Sequence, residues 1–340
     1  MNTSDLIGHS QIVTHLTSAV SMGKISHAYI LHGEKGMGKK FLARYFAKLL
    51  QCESPVNDAL GRLCPCNECK SCKQADGDNH PDIITVTHEK AGIGVDDIRL
   101  QVNGDIAVKP YSSRYKIYII PEADKMTEAA QNALLKTVEE PPEYGILFLL
   151  ADNTENLLPT IHSRCVSLQL RPEKDELIRK YLSEALGITG PGADIAVSFA
   201  GGNIGKAVKY AGSEEFDRVK SDVVEFLRQI DTITPGEVLS KVKDLAAYKA
   251  DFKECIDLMQ LWFRDILVYK TTGDEGRIIF KDEKRYIKKL ASLLDYEKIN
   301  KAASGMNEAK KRLDSNVNFD TTIELMLINM IKTAKGQEER

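Results

Sequence analysis

Residues 33–40 read GEKGMGKK, and this stretch constrains the fold of the chain more than any other. The apolar run AYILHG precedes it at 28–33, and the helical pattern KKFLARYFAKLL follows it. The stretch fits the phosphate-binding motif G-x-x-x-x-G-K-[ST] at every fixed position except the last, where Lys40 replaces the hydroxyl residue. A buried strand, a glycine-rich loop and a helix N-terminus in this order predict a parallel α/β domain that can cradle phosphates.

Further apolar runs in the first 170 residues support a parallel sheet. They alternate with helical patterns such as TEAAQNALLKTVEE, which ends before Pro141 and Pro142. Because the runs are almost continuously apolar, we expect central strands that are buried on both faces. The predicted strands are AYILHG (28–33), DIITV (82–86), KIYII (116–120), ILFLLA (146–151) and VSLQL (166–170).

The rest of the chain, after LRPEKDE, reads as helices separated by Gly, Pro and Asp. We predict three domains: an α/β domain over 1–171, a helical lid over 172–211 and a helical collar over 212–335. In the collar, DFKECIDLMQLWFRDIL carries apolar residues at helical spacing, which favours a buried stripe of a bundle over a ligand site. The residues of this stripe are Phe252, Ile256, Met259, Phe263 and Ile266.

The composition is that of an ordinary globular protein, with 43% hydrophobic and 28% charged residues. No run approaches the ~20 apolar residues of a membrane helix, and the polar start MNTSDLIGHSQ lacks a secretory core. A net charge of -3 gives no general attraction to nucleic acid, so contact with DNA would be local or made through partners. We therefore expect a cytoplasmic protein.

The glycine-rich loop predicts a site for ATP or ADP. Gly33, Gly36 and Gly38 would let backbone N–H groups face phosphate oxygens, and Lys39 would reach the β- and γ-phosphates. Lys40 cannot coordinate magnesium, because an ammonium group only donates hydrogen bonds. Beside Lys39 it favours a phosphate that carries no metal, so nucleotide could bind here without magnesium. A glycine-rich turn without a ligand is the alternative.

The second magnesium contact of such sites is altered as well. An apolar strand normally ends in an Asp that helps to position magnesium. Here KIYII is followed by Pro121, and Glu122 and Asp124 are the nearby carboxylates that could substitute. The two changes together argue against efficient hydrolysis by this chain alone and leave nucleotide binding open.

Five of the seven cysteines lie between residues 52 and 72. Cys66, Cys69 and Cys72 form two consecutive C-x-x-C steps, and a fourth thiolate would complete a tetrahedral zinc site. Cys52 is the predicted fourth ligand, and Cys64 is its rival. Because no histidine is among the candidates and no position is open, the pattern favours structural over catalytic zinc. Redox-active or free thiols are the alternative.

The stretch TIHSRCVSLQL places Ser163, Arg164 and Cys165 just before the last predicted strand. On position alone, Arg164 could be an ordinary surface ion-pairing residue. Together with other motifs, however, the stretch resembles the bacterial DNA polymerase III clamp loader, a branch of the AAA+ ATPases. The matching stretches are HAYILHGEKGMGKK, the cysteine cluster, NALLKTVEEPP and PTIHSRC, with DSNVNFDTTIELML resembling the collar of that family.

Within that family the chain resembles the delta-prime branch more than the ATP-hydrolysing gamma/tau branch. VDDIRLQ, PYSSRYKIYII and PEADKM have the delta-prime pattern. Lys40 and Pro121 depart from the hydrolysing pattern, and Gly205 in GGNIGKA falls where the hydrolysing branch has a sensor arginine. The resemblance therefore implies a degenerate nucleotide site.

The resemblance also implies a role in trans for the Ser-Arg-Cys arginine. In this family that arginine points at ATP bound in the adjacent subunit, and here it corresponds to Arg164, flanked by Ser163 and Cys165. An arginine finger neutralises charge on the transferring phosphoryl group. Since the finger needs no magnesium of its own, this chain could serve the hydrolysis of a neighbour.

The implied function is that of a clamp-loader subunit of DNA polymerase III, without polymerase chemistry of its own. The chain would assemble through the collar with gamma/tau and delta subunits into a five-membered ring that places the sliding clamp on primed DNA. One alternative is a gamma/tau-type subunit that hydrolyses ATP itself. Another is an unrelated AAA+ regulator that uses ATP as a switch.

Overall fold

A computed structural model describes residues 7–89, 92–246, 248–249, 252–315 and 317–335. The chain divides into two compact units. The first contains the residues up to Tyr181 together with Gly202–Lys206, and the second contains Leu182–Gly201 and the residues from Ala207 on. The division into α/β, lid and collar domains stays a prediction.

The first unit is built on a five-stranded parallel sheet. The strands of the described chain are β1 (Ala28–His32), β2 (Val56–Asn57), β3 (Leu63–Cys64), β4 (Ile83–Thr85), β5 (Lys116–Ile120), β6 (Gly145–Ala151) and β7 (Val166–Gln169). The large sheet has the order β4-β5-β6-β1-β7, and β2 and β3 form a separate antiparallel pair. Because β1 lies between β6 and the edge strand β7, the loop that follows it starts one strand in from the edge of the sheet.

The five strands predicted for the large sheet are confirmed, but their predicted burial is only partly right. Strands β1, β5 and β6 are buried almost throughout. Strands β4 and β7 lie at the edges, where β4 is half-buried and β7 alternates between half-buried and exposed residues. The expectation of burial on both faces is wrong for these two, because an edge strand has only one neighbour.

Helices cover both faces of this sheet. Alternate residues of a strand point to opposite faces: Ile30 joins one core with Leu134, and Leu31 joins the other with Leu42. The helices are α1 (Ser10–Ser21), α2 (Lys39–Gln51), α3 (Lys70–Asp76), α4 (Val95–Ile98), α5 (Gly104–Ile106), α6 (Glu128–Glu139), α7 (Pro159–His162), α8 (Asp175–Leu186), α9 (Pro191–Ala200), α10 (Ile204–Ala211), α11 (Glu214–Gln229), α12 (Pro235–Ala246), α13 (Phe252–Thr272), α14 (Lys284–Leu293), α15 (Tyr296–Asp314) and α16 (Phe319–Lys335).

Within its described residues, the second unit contains helices and connecting turns but no strand. The apolar stripe predicted in α13 is confirmed, since Phe252, Ile256, Met259, Phe263 and Ile266 are all buried in the core of this unit. None of the helices in the described segments has both the length and the apolar content needed to cross a bilayer. The predicted fold class, a parallel α/β domain followed by all-helical parts, is confirmed.

Candidate functional site

The glycine-rich loop joins β1 to α2. Gly33, Gly36 and Gly38 have φ values of 147°, 94° and 91°. These values lie in the left-handed region that glycine tolerates and other residues avoid. The predicted glycines therefore produce the turn from strand to helix, and Gly38 caps the N-terminus of α2.

Lys39, the predicted phosphate-binding lysine, is held by a carboxylate. Its Nζ donates to Asp152 Oδ1 at 2.6 Å, and also to the carbonyl oxygens of Gly33 and of Glu34, the latter at 3.0 Å. The Lys39 side chain is 10% exposed and that of Asp152 is 49% exposed. Asp152 directly follows β6, and the sequence did not single it out. A phosphate at this loop would compete with Asp152 for the ammonium group.

The two carboxylates considered for magnesium lie in different surroundings. Lys125 donates to Glu122 Oε1 at 2.7 Å, and this hydrogen bond holds the pKa of Glu122 below its usual value. Asp124 Oδ1 accepts from the backbone N–H of Asp152 at 3.3 Å. Asp124 therefore lies beside the carboxylate that holds the loop lysine, whereas Glu122 pairs with Lys125.

Lys40 is exposed and lines a cavity of about 250 Å³. Arg44, one turn further along α2, lines the same cavity and forms an ion pair with Asp78 at 2.5 Å. His80 and Thr85 complete the polar part of this lining. The extra ammonium group thus lies at a cavity between α2, the segment after the cysteines and the end of β4.

A short segment of the same unit, residues 203–206, closes against the loop, and we call it the loop latch. Asn203 is fully buried, and its Nδ2 donates to the carbonyl oxygen of Lys35 at 2.8 Å. The backbone N–H of Gly205 donates to the carbonyl oxygen of Gly36 at 3.0 Å. Lys206 adds an ion pair with Glu34. Backbone and side chain together fasten the latch to residues 34–36.

Gly205 has a steric reason to be glycine. A Cβ at this position would lie 2.5 Å from the carbonyl oxygen of Gly36, closer than real Cβ atoms approach other atoms. A larger side chain, such as an arginine, would force the backbone of the latch away from the loop. The family resemblance predicts that an arginine is replaced at this position, but it does not predict the close approach to Gly36.

The structure brings together Cys52, Cys66, Cys69 and Cys72, whose Sγ atoms all lie within 4.8 Å of one another. The Sγ atoms of Cys66 and Cys72 are 3.9 Å apart, close to the ~3.8 Å expected between thiolates 2.3 Å from a shared tetrahedral zinc ion. Cys64 is buried, and its Sγ donates to the carbonyl oxygen of Arg62. The donor set and its spacing therefore fit zinc, and Cys52 rather than Cys64 completes the group of four.

Backbone N–H groups point at three of these sulfurs. The N–H of Cys66 donates to Cys52, that of Cys69 to Cys66, and that of Cys72 to Cys69. The bond from Cys69 lowers the pKa of Cys66 to about 6, whereas burial raises the pKa values of Cys52 and Cys72. Four buried or half-buried thiolates at this distance repel one another, so a cation is needed to hold all four in that form.

Buried polar contacts fasten this cysteine module to α2 and the sheet. Lys48 is 1% exposed, and its Nζ forms an ion pair with Asp76 of α3 at 2.6 Å. His80 Nδ1 accepts from the N–H of Asp82, so the other ring nitrogen, Nε2, carries the proton and donates to Ser71 at 3.1 Å. Burial lowers the pKa of His80 and keeps the ring neutral.

The predicted finger residue Arg164 lies on the surface, with 41% of its side chain exposed. The neighbouring Cys165 packs against the core beneath the sheet, and burial raises its pKa to about 12, so it is a thiol. Ser163 Oγ donates to the carbonyl oxygen of Thr160 and accepts from Arg164. In the Ser-Arg-Cys stretch, Cys165 therefore packs against the core and Arg164 faces outward.

A buried glutamine fixes the segment that leads to the finger. Gln131 of α6 donates from Nε2 to the carbonyl oxygen of Asn156 at 2.9 Å and accepts on Oε1 from the N–H of Leu158 at 2.7 Å. Residue 158 precedes α7, and Arg164 follows it. The position of the arginine backbone is therefore tied to α6.

Family models and known relatives agree on where this chain belongs. A model described as "DNA polymerase III, delta subunit" matches residues 8–174, and one described as "DNA polymerase III, delta subunit, C terminal" matches residues 221–334. Together the two matches span more than half of the chain. The chain belongs to the DNA polymerase III delta subunit family. This membership confirms the predicted resemblance to the bacterial DNA polymerase III clamp loader.

Among the relatives, the DNA polymerase III subunit delta' of Bacillus subtilis is 29% identical over 325 residues, which cover 94% of each chain. The tau subunit of the same organism is 31% identical over 296 residues. That match covers 80% of this chain but 51% of tau, so this family member spans about half the length of tau. A solved structure of a DNA polymerase III gamma subunit-related protein from Thermotoga maritima is 18% identical, covers 94% of this chain and 99% of that one, and has a TM-score of 0.48.

Proposed function

We propose that this chain is the delta-prime-type subunit of a clamp loader and supplies Arg164 to ATP bound by a neighbouring subunit. The observation that carries the proposal is the exposed guanidinium of Arg164 on a backbone that Cys165 and Gln131 fix. An arginine held at a rigid edge is suited to stabilise charge on a phosphoryl group that another protein binds.

The surroundings of the glycine-rich loop support a chain that does not hydrolyse ATP itself. Lys39 is paired with Asp152, position 40 lacks a hydroxyl group, and Gly205 stands in place of a sensor arginine. ATP or ADP binding would require Lys39 to exchange Asp152 for a phosphate. Such binding remains part of the proposal, and its role would be to fix the loop rather than to fuel a reaction.

The proposed partners are those that the family resemblance implies. The chain would assemble through the collar, residues 212–335, with gamma/tau and delta subunits in a five-membered ring. This ring would open the sliding clamp and place it on primed DNA, with the DNA contacted by the assembled complex. Such a role is cytoplasmic.

The cysteine module would bind structural zinc through Cys52, Cys66, Cys69 and Cys72. Zinc would crosslink the end of α2 to the start of α3. Since the four thiols are the full donor set of a closed tetrahedral site, a role in catalysis is not part of the proposal.

The test compares the chain alone with the complex reconstituted from gamma/tau, delta and this chain. With Mg-ATP and primed DNA, the chain alone should release negligible phosphate. In the complex, Arg164→Ala should slow hydrolysis at the site that it serves by ~10³ or more, with assembly unchanged by size-exclusion chromatography. Lys39→Ala, the matched change at the chain's own loop, should leave turnover of the complex nearly unchanged.

Two results would overturn the proposal. Robust turnover by the isolated chain, abolished by Lys39→Ala, would assign it to the gamma/tau type. Unchanged turnover of the complex with Arg164→Ala would reduce this arginine to a structural surface residue.

A further inference from the structure

The guanidinium of Arg164 is held by specific acceptors. Its Nε donates to Glu139 Oε1 at 3.0 Å. Its Nη1 donates to the carbonyl oxygen of Thr160 at 3.0 Å and to Ser163 Oγ at 3.2 Å. Glu139 is the last residue of α6, so the arginine is bound by side chains and backbone from two helices and the turn after them.

These contacts occupy only part of the arginine. A guanidinium carries five N–H donors in one plane. Within the described part of the chain, Nη2 has no hydrogen-bond partner, and the side chain is 41% exposed. One side of the planar group is therefore fixed while the other side remains open to an anion from outside the chain.

We propose that Glu139 is a positioning residue for Arg164. It holds Nε so that Nη2 faces the phosphoryl group of the nucleotide in the neighbouring subunit. This inference rests on the proposed trans role of Arg164 and adds the residue that orients it. Neither the motif nor the sequence pattern distinguished Glu139 from the adjacent Glu140.

The strength of the ion pair suits positioning. Glu139 and Arg164 are 43% and 41% exposed, and solvent strongly weakens an ion pair at such exposure. A pair of this strength cannot withhold the arginine from a triphosphate. It can still reduce the rotamer entropy that a free arginine loses when it docks. The ion pair therefore contributes by orienting the Arg164 guanidinium before it contacts the phosphate.

Both ends of the pair have fixed backbones. Gln131, two turns before Glu139 in α6, binds the backbone of residues 156 and 158 just before α7. Thr160 lies in α7 and accepts from Arg164 itself. Because α6 and α7 are tied together, Glu139 has a fixed position relative to Arg164. Its carboxylate therefore sets the orientation of the Arg164 side chain.

The experiment measures ATP hydrolysis by the reconstituted complex with four forms of this chain: Arg164→Ala, Glu139→Ala, Glu139→Gln and Glu140→Ala. Glu139→Ala should remove at least half of the turnover that Arg164→Ala removes, through kcat, with KM for ATP unchanged. Glu139→Gln should retain most of the turnover, because its amide oxygen still accepts from Nε. Glu140→Ala changes the adjacent exposed glutamate and should have no effect.

A double variant separates positioning from a general effect. In the Arg164→Ala background, Glu139→Ala should change nothing further, since the residue acts only through the arginine. Thermal unfolding of each variant chain checks that the fold is intact, and we expect unchanged midpoints for these surface changes.

The possible failures are distinguishable. If Arg164→Ala leaves turnover unchanged, the trans role itself is wrong, and the positioning role with it. If Arg164→Ala slows turnover but Glu139→Ala does not, only the positioning role is wrong. Faster hydrolysis with either Glu139 variant would make this carboxylate a restraint, and a further loss in the Arg164→Ala background would give it a separate role; both overturn the inference.

Discussion

At the scale of single residues, Asp152 decides how the loop lysine is used. The Lys39–Asp152 distance of 2.6 Å is that of a strong ion pair, but half of the Asp152 side chain is exposed. Solvent screening limits such a pair to at most ~1 kcal/mol. A nucleotide phosphate would therefore compete with a weak partner, and the loop is restrained rather than blocked.

Replacing that carboxylate should strengthen nucleotide binding. Asp152→Asn removes the charge that competes for Lys39, so we expect affinity for ADP to rise by about two- to fivefold. Calorimetry in a chelator measures this rise without magnesium and also tests whether nucleotide binds metal-free, as Lys40 suggests. Glu155→Gln is the matched control. Glu155 is a carboxylate three residues after Asp152, but it contacts Asn153 instead of Lys39. No gain for Asp152→Asn, with binding still dependent on Lys39, would show that the ion pair does not compete.

Single residues also mark the limit of the sequence. Cys66, Cys69 and Cys72 were predictable because their spacing is local. The choice between Cys52 and Cys64 was not, because it depends on how the chain turns between the end of α2, where Cys52 lies, and β3, which contains Cys64. Spacing alone cannot show the direction of a side chain in a short irregular module.

At the scale of elements, buried strands were predictable and their neighbours were not. A continuous apolar run such as that of β6 indicates a strand whatever surrounds it. The exposure of β4 and β7 depends on strand order, which brings together segments far apart in sequence. The contact between the loop latch and the loop is of the same kind, since it joins Gly205 to Gly36.

This close contact predicts opposite effects for two helical glycines. Gly205→Ala would place a Cβ 2.5 Å from a backbone oxygen and should destabilise the first unit by about 1–3 kcal/mol. Gly305→Ala in α15 meets nothing within 4 Å and should be neutral or stabilise by up to about 1 kcal/mol. Urea unfolding of both variants measures the difference. Equal effects would mean that the latch does not pack on the loop in solution.

At the scale of the whole molecule, each unit has its own apolar core. The core of the second unit contains the α13 stripe, and the two cores of the first unit lie on either face of its sheet. The cysteine module and the contacts that fasten it, including Lys48–Asp76 and Ser71–His80, all belong to the first unit. Loss of a metal from the module should therefore destabilise the first unit and leave the second unchanged.

Chelation should loosen the first unit locally and leave the second unchanged. Structural zinc contributes ~10–16 kcal/mol of apparent binding energy in small domains, and the seven-residue helix α3 is too short to persist without it. Hydrogen exchange after chelator treatment should therefore rise in residues 52–76 but not in α13. Cys72→Ser should reproduce this rise without chelator, whereas Cys64→Ser, outside the group of four, should not. A similar rise in α13, or no rise in the module, would contradict a local structural role for the metal.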